Sequence, residues 1–346
     1  MADQTNFQNY MQASAQAIEK ELQVFSRSWN KQTADAFPEL QTDNQRFTDR
    51  LLGGKMLRGT LVQFGYELVK TKSSKAILKP AAAFEILHTA LIIHDDIIDQ
   101  SPTRRGQPAM HLHKNAHYGV SQAICLGDLG ISQAVKLLSE SDFQTDKKIR
   151  ALTYFSQIIS DTILGEMLDI RSSHTEKPKE EQILTIHKMK TARYTIVGPM
   201  TVGAILGGAD ETLLKSIKLF GEHLGIAFQI QDDILGIFGD ENTTGKSTTS
   251  DIEENKSTLL LTYIQQQGTN KQKELFKKYY GKKGITKEQH EIIKKIFIEN
   301  GALAYSQKYM NKLVSKAKAV IPQITKNISK QELLHQLTEA LVNRIN

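Results

Sequence analysis

The stretch HTALIIHDDIIDQSPTRRG, residues 88–106, decides the fold and carries three aspartates within an otherwise apolar run. Apolar residues recur at positions 86, 87, 90, 91, 93, 97 and 98, which is typical of a helix buried on most sides. On such a helix Asp95 and Asp99 are one turn apart, so their carboxylates lie on one face. Buried carboxylates without cationic partners are costly, which favours binding of a divalent cation. Ligands that are all oxygen atoms are typical of Mg²⁺.

A simpler interpretation is that these acids are solvated at a helix end or paired with Arg104 and Arg105. A second aspartate pair favours the metal hypothesis. The run IAFQIQDDILGIFGD, residues 226–240, repeats the apolar helical pattern around Asp232 and Asp233. We therefore expect two facing helices that clamp a metal–phosphate cluster between their aspartates.

A basic segment, GGKMLRG at residues 53–59, lies upstream of the first aspartates. Its glycines end one helix, and Lys55 and Arg58 follow at the start of the next, on one face. Free N–H groups and the helix dipole already favour anions at a helix N-terminus. A bound diphosphate would make two cations favourable there, and a solvated lysine and arginine are the open alternative.

The composition of the chain limits its class and compartment. The net charge of +6 over 346 residues favours anionic partners such as phosphorylated substrates, nucleic acid or a membrane surface. Much of the excess lysine lies between 271 and 295, away from the aspartates, so we interpret it as a solvated face and expect no nucleic-acid partner. The single cysteine, Cys125, lies in an apolar run and is expected in the core. One cysteine excludes an internal disulfide framework and fits a cytoplasmic protein.

The rest of the chain has helical apolar spacing and no convincing run of alternating strands. No signal peptide or transmembrane helix is expected from the N-terminus or from the lengths of the apolar runs. The sequence therefore predicts an all-α fold in one domain, residues 1–346, with about ten to thirteen helices. Gly198-Pro199 predicts a kink. The polar loop after the second aspartate pair lacks the glycine spacing of a P-loop, and we interpret it as a mobile lid bearing Lys246 and Lys256.

Taken together, these motifs resemble the trans-prenyl diphosphate synthase (polyprenyl synthetase) family from about residue 50 to about residue 260. The matching elements, in the family's order, are GGKMLRG, HDDIID with RRG, KTA at 190–192, QIQDD at 229–233 and the lysines of the polar loop. The resemblance implies an isoprenoid synthase-like bundle of roughly antiparallel helices around a central cavity, usually as a homodimer.

The resemblance also implies a role for each matching residue. Mg²⁺ ions, three with substrate bound, would bridge the allylic diphosphate to Asp95, Asp99 and Asp232, with Asp96 and Asp233 in support. The same diphosphate would be held by Lys190, Thr191, Gln229, Arg104, Lys246 and Lys256. Isopentenyl diphosphate would be held by Lys55, Arg58, His88 and Arg105. Glu166 would belong to the metal shell.

The implied reaction is Mg²⁺-dependent prenyl transfer to isopentenyl diphosphate. The allylic substrate would be dimethylallyl, geranyl or farnesyl diphosphate. Cations stabilise the departing diphosphate, and the isopentenyl double bond, held nearby, attacks the allylic carbocation. Peripheral membrane contact during product release stays open.

Chain length is predicted from the helix before Asp95, where one turn of about 5.4 Å is comparable to an isoprene unit. In the family, an aromatic residue five positions before the motif stops growth at C15, and Ala90 stands there in this chain. With Leu87 and Leu91 as a floor, the expected product is geranylgeranyl diphosphate (C20). A C30–C35 product is the alternative, and Ala90→Phe is expected to shorten the product.

The sequence departs from the family pattern at three places. Gly59 stands where proline is usual, Gly236 replaces a third aspartate, and the lid segment EENK at 253–256 lacks the common glycine.

Three other classes of protein are alternatives to this interpretation. A class I terpene cyclase would not need the basic segment, and an HD-type phosphohydrolase would need further metal ligands. A non-catalytic synthase subunit would not need both aspartate pairs.

Overall fold

The structure is a computed structural model that describes residues 7–71, 74–174, 178–239 and 249–343. Strands in these ranges are limited to one hairpin of two strands, each two residues long, so the prediction of an all-α fold is confirmed. The helices of the first half are α1 (Phe7–Ala36), α2 (Gln41–Asp49), α3 (Leu57–Val69), α4 (Leu78–Ile98), α5 (Ala116–Ser139) and α6 (Thr145–Ser173). The hairpin pairs β1 (Thr103–Arg104) with β2 (Gln107–Pro108). The later helices are α7 (Glu180–Ile186), α8 (Gly198–Gly207), α9 (Glu211–Phe238), α10 (Ser250–Glu253), α11 (Leu259–Gln267), α12 (Asn270–Tyr279), α13 (Lys287–Glu299), α14 (Ala302–Ile324) and α15 (Ile328–Val342).

The chain divides into two compact units. Unit 1 comprises Met1–Gln157 and Gly198–Lys215, and unit 2 comprises Ile158–Val197 and Ser216–Asn346. Helices α6 and α9 each contribute residues to both units. The single-domain organisation stays a prediction.

Helix α4 forms the core of unit 1, where it packs against α3 and α5. Pro80 lies in its first turn, where a missing N–H costs little. Among the described residues, Lys75–Ile98 is the one stretch long and apolar enough to cross a membrane, although 67% of its apolar window is buried inside the protein. Burial of this kind is what a core helix of a globular unit needs, and it explains why the run is apolar on most sides.

Helices α3 and α8 of unit 1 approach until their backbones touch. A Cβ added to Gly65 would overlap the carbonyl of Met200, and one added to Gly203 would overlap the carbonyl of Val62. The small residues of α8 therefore serve helix packing.

In unit 2, a π-helical segment, His187–Val197, continues α7 and ends where α8 begins. Pro199 has no N–H to donate, so the change of winding falls at the predicted kink. An aromatic cluster in the same unit joins Phe238, Phe276 and Phe297, with ring centroids 4.9 to 6.4 Å apart.

The prediction that Cys125 lies in the core is wrong. Its side chain is exposed on α5. Small and apolar residues surround Cys125 in the sequence, but α5 buries Ala123, Leu126 and Gly127 and leaves Ile124 and Cys125 outside.

Candidate active site

The first aspartate group lies at the C-terminal end of α4 in unit 1. Asp95 and Asp99 are partly exposed, whereas Asp96 is almost fully buried at 1%. Arg104 holds Asp96 through two hydrogen bonds, one of them from Nε to Oδ1 at 2.8 Å. The same guanidinium lies 3.4 Å from Asp95 Oδ2. The structure therefore shows the predicted pairing with arginine for Asp96. The metal hypothesis stays a prediction for Asp95 and Asp99, which are partly exposed and one helical turn apart.

Arg104 reaches these acids because the β1–β2 hairpin reverses the chain directly after α4. The reversal uses positive φ at Arg105 (53°) and Gly106 (71°). Burial opposes the charge on Arg104, but Asp96, Asp95 and Asp99 outweigh burial and raise its pKa. The guanidinium is thus a permanent cation beside the carboxylates.

The residues predicted to hold isopentenyl diphosphate also meet in unit 1. A Cβ on Gly54 would lie 3.4 Å from Nη2 of Arg105, so the hairpin arginine lies against Gly54, the residue before Lys55. Lys55 itself is exposed, and Arg58 is partly buried at the start of α3. Burial, together with the positive charges of Arg58, Arg105 and Arg104, holds the pKa of His88 well below its usual range. His88 therefore lies among the cations as a neutral hydrogen-bonding group.

The neutral state of His88 predicts a specific acid sensitivity. Below pH 6.5 His88 becomes protonated in the unfolded chain but stays neutral in the folded chain. The free energy of unfolding is therefore unaffected by His88 above pH 6.5, and it decreases as the pH falls from 6.5 towards the lower pKa of His88 in the folded chain. His88→Gln removes this loss, which is at most about 1.4 kcal/mol per pH unit. Urea unfolding of both proteins at about pH 7.5 and about pH 5.5 measures the difference. Equal acid sensitivity of the two proteins would contradict the assignment.

Glu85 belongs to this basic group and was missed by sequence reasoning. Its side chain is 6% exposed, and its Oε1 accepts a hydrogen bond of 2.7 Å from the backbone N–H of Gly59. Burial raises the pKa of Glu85, against the opposing charge of Arg58. A lone acid inside the apolar run before His88 was the available signal, because a buried carboxyl must find partners.

The second aspartate pair lies in a buried network of unit 2. Asp233 is 2% exposed, and its Oδ1 accepts a hydrogen bond of 2.9 Å from Gln229 Nε2. His187 Nε2 lies 3.1 Å from Asp233 Oδ2, and Lys256 Nζ lies 3.5 Å from Oδ1. Thr191 donates to Gln229 Oε1 at 2.6 Å. Four residues predicted as ligands or supports are thus brought together. His187 was not among the predicted residues.

Electrostatics fix the protonation states in this network. Burial disfavours ionisation of Asp233, but the charges of His187 and Lys256 and the hydrogen bonds from His187 and Gln229 outweigh it and lower its pKa. Burial also opposes the charge on Lys256, yet Asp251, Asp233, Asp169 and Glu254 raise its pKa well above the usual value. Both groups are therefore ionised at neutral pH. Asp232, beside Asp233 on α9, is partly exposed.

Lys190 is held by carboxylates of α6. Its Nζ lies 2.6 Å from Glu166 Oε2 and 2.9 Å from Asp169 Oδ2. Glu166 was predicted for the metal shell, whereas Asp169, one turn further along α6, was missed although the spacing of the two acids was visible. The side chain of Lys190 is 26% exposed, so it stays accessible to an anion.

The donor chemistry of each aspartate group, taken by itself, fits a magnesium ion that retains water and phosphate ligands. Asp95 and Asp99 in unit 1 offer carboxylate oxygens, the ligands that Mg²⁺ prefers, and so does Asp232 in unit 2. Within the described ranges, no three side chains of His, Cys, Asp or Glu form a complete metal site. Lys246 lies outside the described residues.

The predicted chain-length residues differ in their surroundings. Leu87 and Ala90 are fully buried, whereas Leu91 is partly exposed on α4. A Cβ on Gly130 would lie 2.8 Å from the Cβ of Ala90 and 2.6 Å from Cζ of Phe47. Ala90 therefore lies against the backbone of α5, with no space for a larger side chain.

Comparisons with known proteins agree with these motifs. The family model described as polyprenyl synthetase matches residues 44–298. A geranylgeranyl diphosphate synthase of Sulfolobus acidocaldarius is 33% identical over 269 residues, which is 76% of this chain and 80% of that protein. A geranylfarnesyl diphosphate synthase of Aeropyrum pernix is 29% identical over 85% of this chain and 91% of its own length. The crystal structure of geranylgeranyl pyrophosphate synthase from Corynebacterium glutamicum, complexed with isoprenyl diphosphate and magnesium, has a TM-score of 0.90 at 26% identity and covers 95% of this chain and 98% of that chain.

Proposed function

This chain belongs to the polyprenyl synthetase family and is a prenyltransferase, and we propose that it extends an allylic diphosphate with isopentenyl diphosphate to geranylgeranyl diphosphate (C20). The observation that carries this proposal is the arrangement at the end of α4. Partly exposed Asp95 and Asp99 lie one turn apart. The arginines whose charges lower the pKa of His88 belong to the same unit: Arg58, Arg104 and Arg105. Oxygen ligands beside a group of arginines suit diphosphates that carry a divalent metal.

Each residue group has a proposed task in the reaction. Arg58, His88 and Arg105, with Lys55, bind and orient isopentenyl diphosphate. Lys190, Thr191, Gln229 and Lys256 of unit 2 bind the allylic diphosphate. In unit 1, Arg104 supplies a cation for a diphosphate beside Asp95. Their charges stabilise the departing diphosphate when the allylic C–O bond breaks. A positioned isopentenyl double bond then attacks the allylic carbocation, and transfer of a proton to the departed diphosphate completes the product. No side-chain nucleophile is required.

Magnesium is the proposed metal. The crystal structure from C. glutamicum was solved with magnesium and isoprenyl diphosphate, and the donor atoms of Asp95, Asp99 and Asp232 are all carboxylate oxygens. When bound, Mg²⁺ would supply electrostatic stabilisation of the diphosphate charge. We propose three ions with substrate bound, and Asp96 and Asp233 would orient the ligating acids through their contacts with Arg104 and Gln229.

The C20 product is supported by relatives named for that product and by the absence of Phe, Tyr and Trp at positions 87–91. A C25 name also occurs among relatives of similar identity, and C30–C35 is the alternative. Incubation with isopentenyl diphosphate and each of dimethylallyl, geranyl and farnesyl diphosphate tests the proposal. Chromatography of the extracted products should show mainly C20 from all three primers. A main product of C15, or of C30 and longer, would overturn the length assignment.

Leu91→Phe is expected to shift the main product from C20 to C15. Leu91 is partly exposed one turn before Asp95, so a larger ring there would shorten the space for the growing chain. Ala90→Phe, in contrast, would force a ring against Gly130 and is expected to lower the melting temperature, because overpacking strains a core. Product chromatography and thermal unfolding of both variants measure these effects. An unchanged distribution for Leu91→Phe would place the floor of the pocket elsewhere.

A homodimer is the proposed assembly. The part of α6 in unit 2 exposes a stripe of apolar side chains at helical spacing: Ile163, Leu164, Met167, Leu168 and Ile170, each 39% to 60% exposed. Contiguous exposed apolar surface of this kind typically marks a protein–protein contact. A second copy of the chain is the occupant that we propose, and sedimentation velocity would measure it.

A further inference from the structure

The positive charge of the chain is concentrated in its last part, residues 270–346. This part contains sixteen lysines and arginines and six acids, a net charge of +10. Because the whole chain carries +6, the residues before 270 carry a net charge of −4. Such a charge asymmetry indicates a surface that attracts an anionic partner.

The densest part of this charge is the segment KKYYGKKGITK, residues 277–287, which we call the basic turn. It joins the end of α12 to the start of α13 and contains five lysines and no acid. All five lysine side chains are exposed: Lys277, Lys278, Lys282, Lys283 and Lys287. Salt bridges pair Lys294 and Lys295 of α13 with acids of the same helix, but none within the described ranges involves a lysine of the basic turn.

The basic turn is fixed to the rest of unit 2 through its backbone and one buried tyrosine. Tyr280 is 8% exposed, and its hydroxyl donates to the carbonyl of Lys256 at 3.0 Å. The N–H of Gly281 donates to the carbonyl of Ile252 at 2.8 Å, and the N–H of Ile285 donates to a carboxylate of α10 at 3.1 Å. The backbone therefore needs little further ordering when a partner binds, which lowers the cost of binding.

The side chains of the basic turn suit an anionic membrane surface better than a nucleic acid. Arginine, whose planar fork is preferred for nucleic-acid recognition, does not occur in the turn. Tyr279 is partly exposed, and Nζ of Lys278 lies 5.2 Å from the centroid of its ring. Tyrosine is enriched where proteins meet the membrane–water interface. Clusters of about four to eight basic residues are typical of segments that bind anionic lipids.

We propose that the basic turn is a docking surface for membranes that contain anionic lipids. The contact is electrostatic and reversible, since stable anchoring of a protein to a membrane requires a second signal beside a basic cluster. A reversible contact suits the release of a prenyl diphosphate, because its long apolar chain favours a bilayer over water. That purpose rests on the proposed function, whereas the binding of the basic turn to anionic lipid does not.

Cosedimentation of the full chain with vesicles, in the absence of substrate, tests the proposal. One set of vesicles is phosphatidylcholine alone, and the other contains about 30% phosphatidylglycerol as the anionic lipid. The protein should sediment with the anionic vesicles only. Its apparent affinity should fall about tenfold or more between about 0.05 M and about 0.5 M salt, because salt screens exposed charges.

Two triple variants locate the docking surface. The first replaces three exposed lysines of the basic turn: Lys277→Gln, Lys282→Gln and Lys283→Gln. The matched control removes the same charge from exposed lysines of α14 in the same unit: Lys308→Gln, Lys312→Gln and Lys316→Gln. The first variant should bind the anionic vesicles about tenfold more weakly or worse, and the control should stay within about twofold of the unmodified protein. Both should keep the melting temperature of the unmodified protein.

Equal sedimentation with both kinds of vesicle, or an equal loss of affinity in the two triple variants, would overturn the proposal. Tighter binding of an RNA oligonucleotide than of the anionic vesicles at the same salt concentration would overturn it as well. If the unmodified protein does not incorporate isopentenyl diphosphate, the proposed function fails. The vesicle measurements contain no substrate and still decide whether the basic turn binds anionic lipid, so the two failures are distinguishable.

Discussion

Asp95→Ala is expected to lower the rate of prenyl transfer about a thousandfold and to leave the fold intact. The loss is large because Asp95 is a proposed metal ligand, and removal of one preorganised electrostatic contact to a developing charge costs about 10²–10³-fold. The fold should persist because Arg104 still pairs with buried Asp96 through its Nε, at 2.8 Å. Incorporation of labelled isopentenyl diphosphate measures the rate, and thermal unfolding checks the fold.

Asp142→Ala is the control for this variant. Asp142 is exposed in the connection between α5 and α6, so its removal should leave both the rate and the melting temperature unchanged. An Asp95→Ala enzyme within tenfold of wild type would show that Asp95 is paired with Arg104 for structural reasons only.

Gly59→Pro is expected to destabilise unit 1 by about 3 kcal/mol or more, although proline is usual at this place in the family. Proline is normally harmless in the first turn of a helix, since its missing N–H would be unsatisfied. In this protein that N–H donates to buried Glu85, and loss of a partner to a buried carboxyl costs about 1–3 kcal/mol or more. The added ring atoms would also approach the carbonyl of Ala81 and Cδ1 of Ile18, because a Cβ at position 59 lies 2.9 Å from each.

Gly59→Ala separates the two causes. Alanine adds the crowded Cβ and keeps the N–H, so the difference between the proline and alanine variants reports the hydrogen bond to Glu85. Urea unfolding at neutral pH gives both values. Equal stability of the two variants would mean that Glu85 does not depend on the N–H of Gly59.

Patterns confined to one helix were predictable from the sequence. The apolar spacing around Asp95 placed a buried helix before the aspartates, and α4 ends at Ile98. The neutralisation of Asp96 by Arg104 was left as one of two alternatives, because spacing does not show which acid an arginine eight residues away will reach.

Contacts across helices were not predictable from spacing. Lys190 was expected to face a diphosphate, yet it pairs with Glu166 and Asp169 of α6, which lie more than twenty residues earlier. Gly236 was visible as a departure, but only the fold brings Asp251 against it. Cys125 was wrongly predicted to be buried, because a helix made of small and apolar residues can still have one face exposed to solvent. The chain-length role of Ala90 stays a prediction, and only the fold shows that its Cβ lies close to Gly130 of α5.

The central claim is that the enzyme joins isopentenyl diphosphate to an allylic diphosphate. The most direct measurement incubates the purified protein with Mg²⁺, farnesyl diphosphate and labelled isopentenyl diphosphate, with each substrate omitted in turn. Label should enter a C20 diphosphate only when both substrates and the metal are present. Consumption of farnesyl diphosphate without isopentenyl diphosphate, or no incorporation of label, would contradict the claim and favour a cyclase or a partner-dependent subunit.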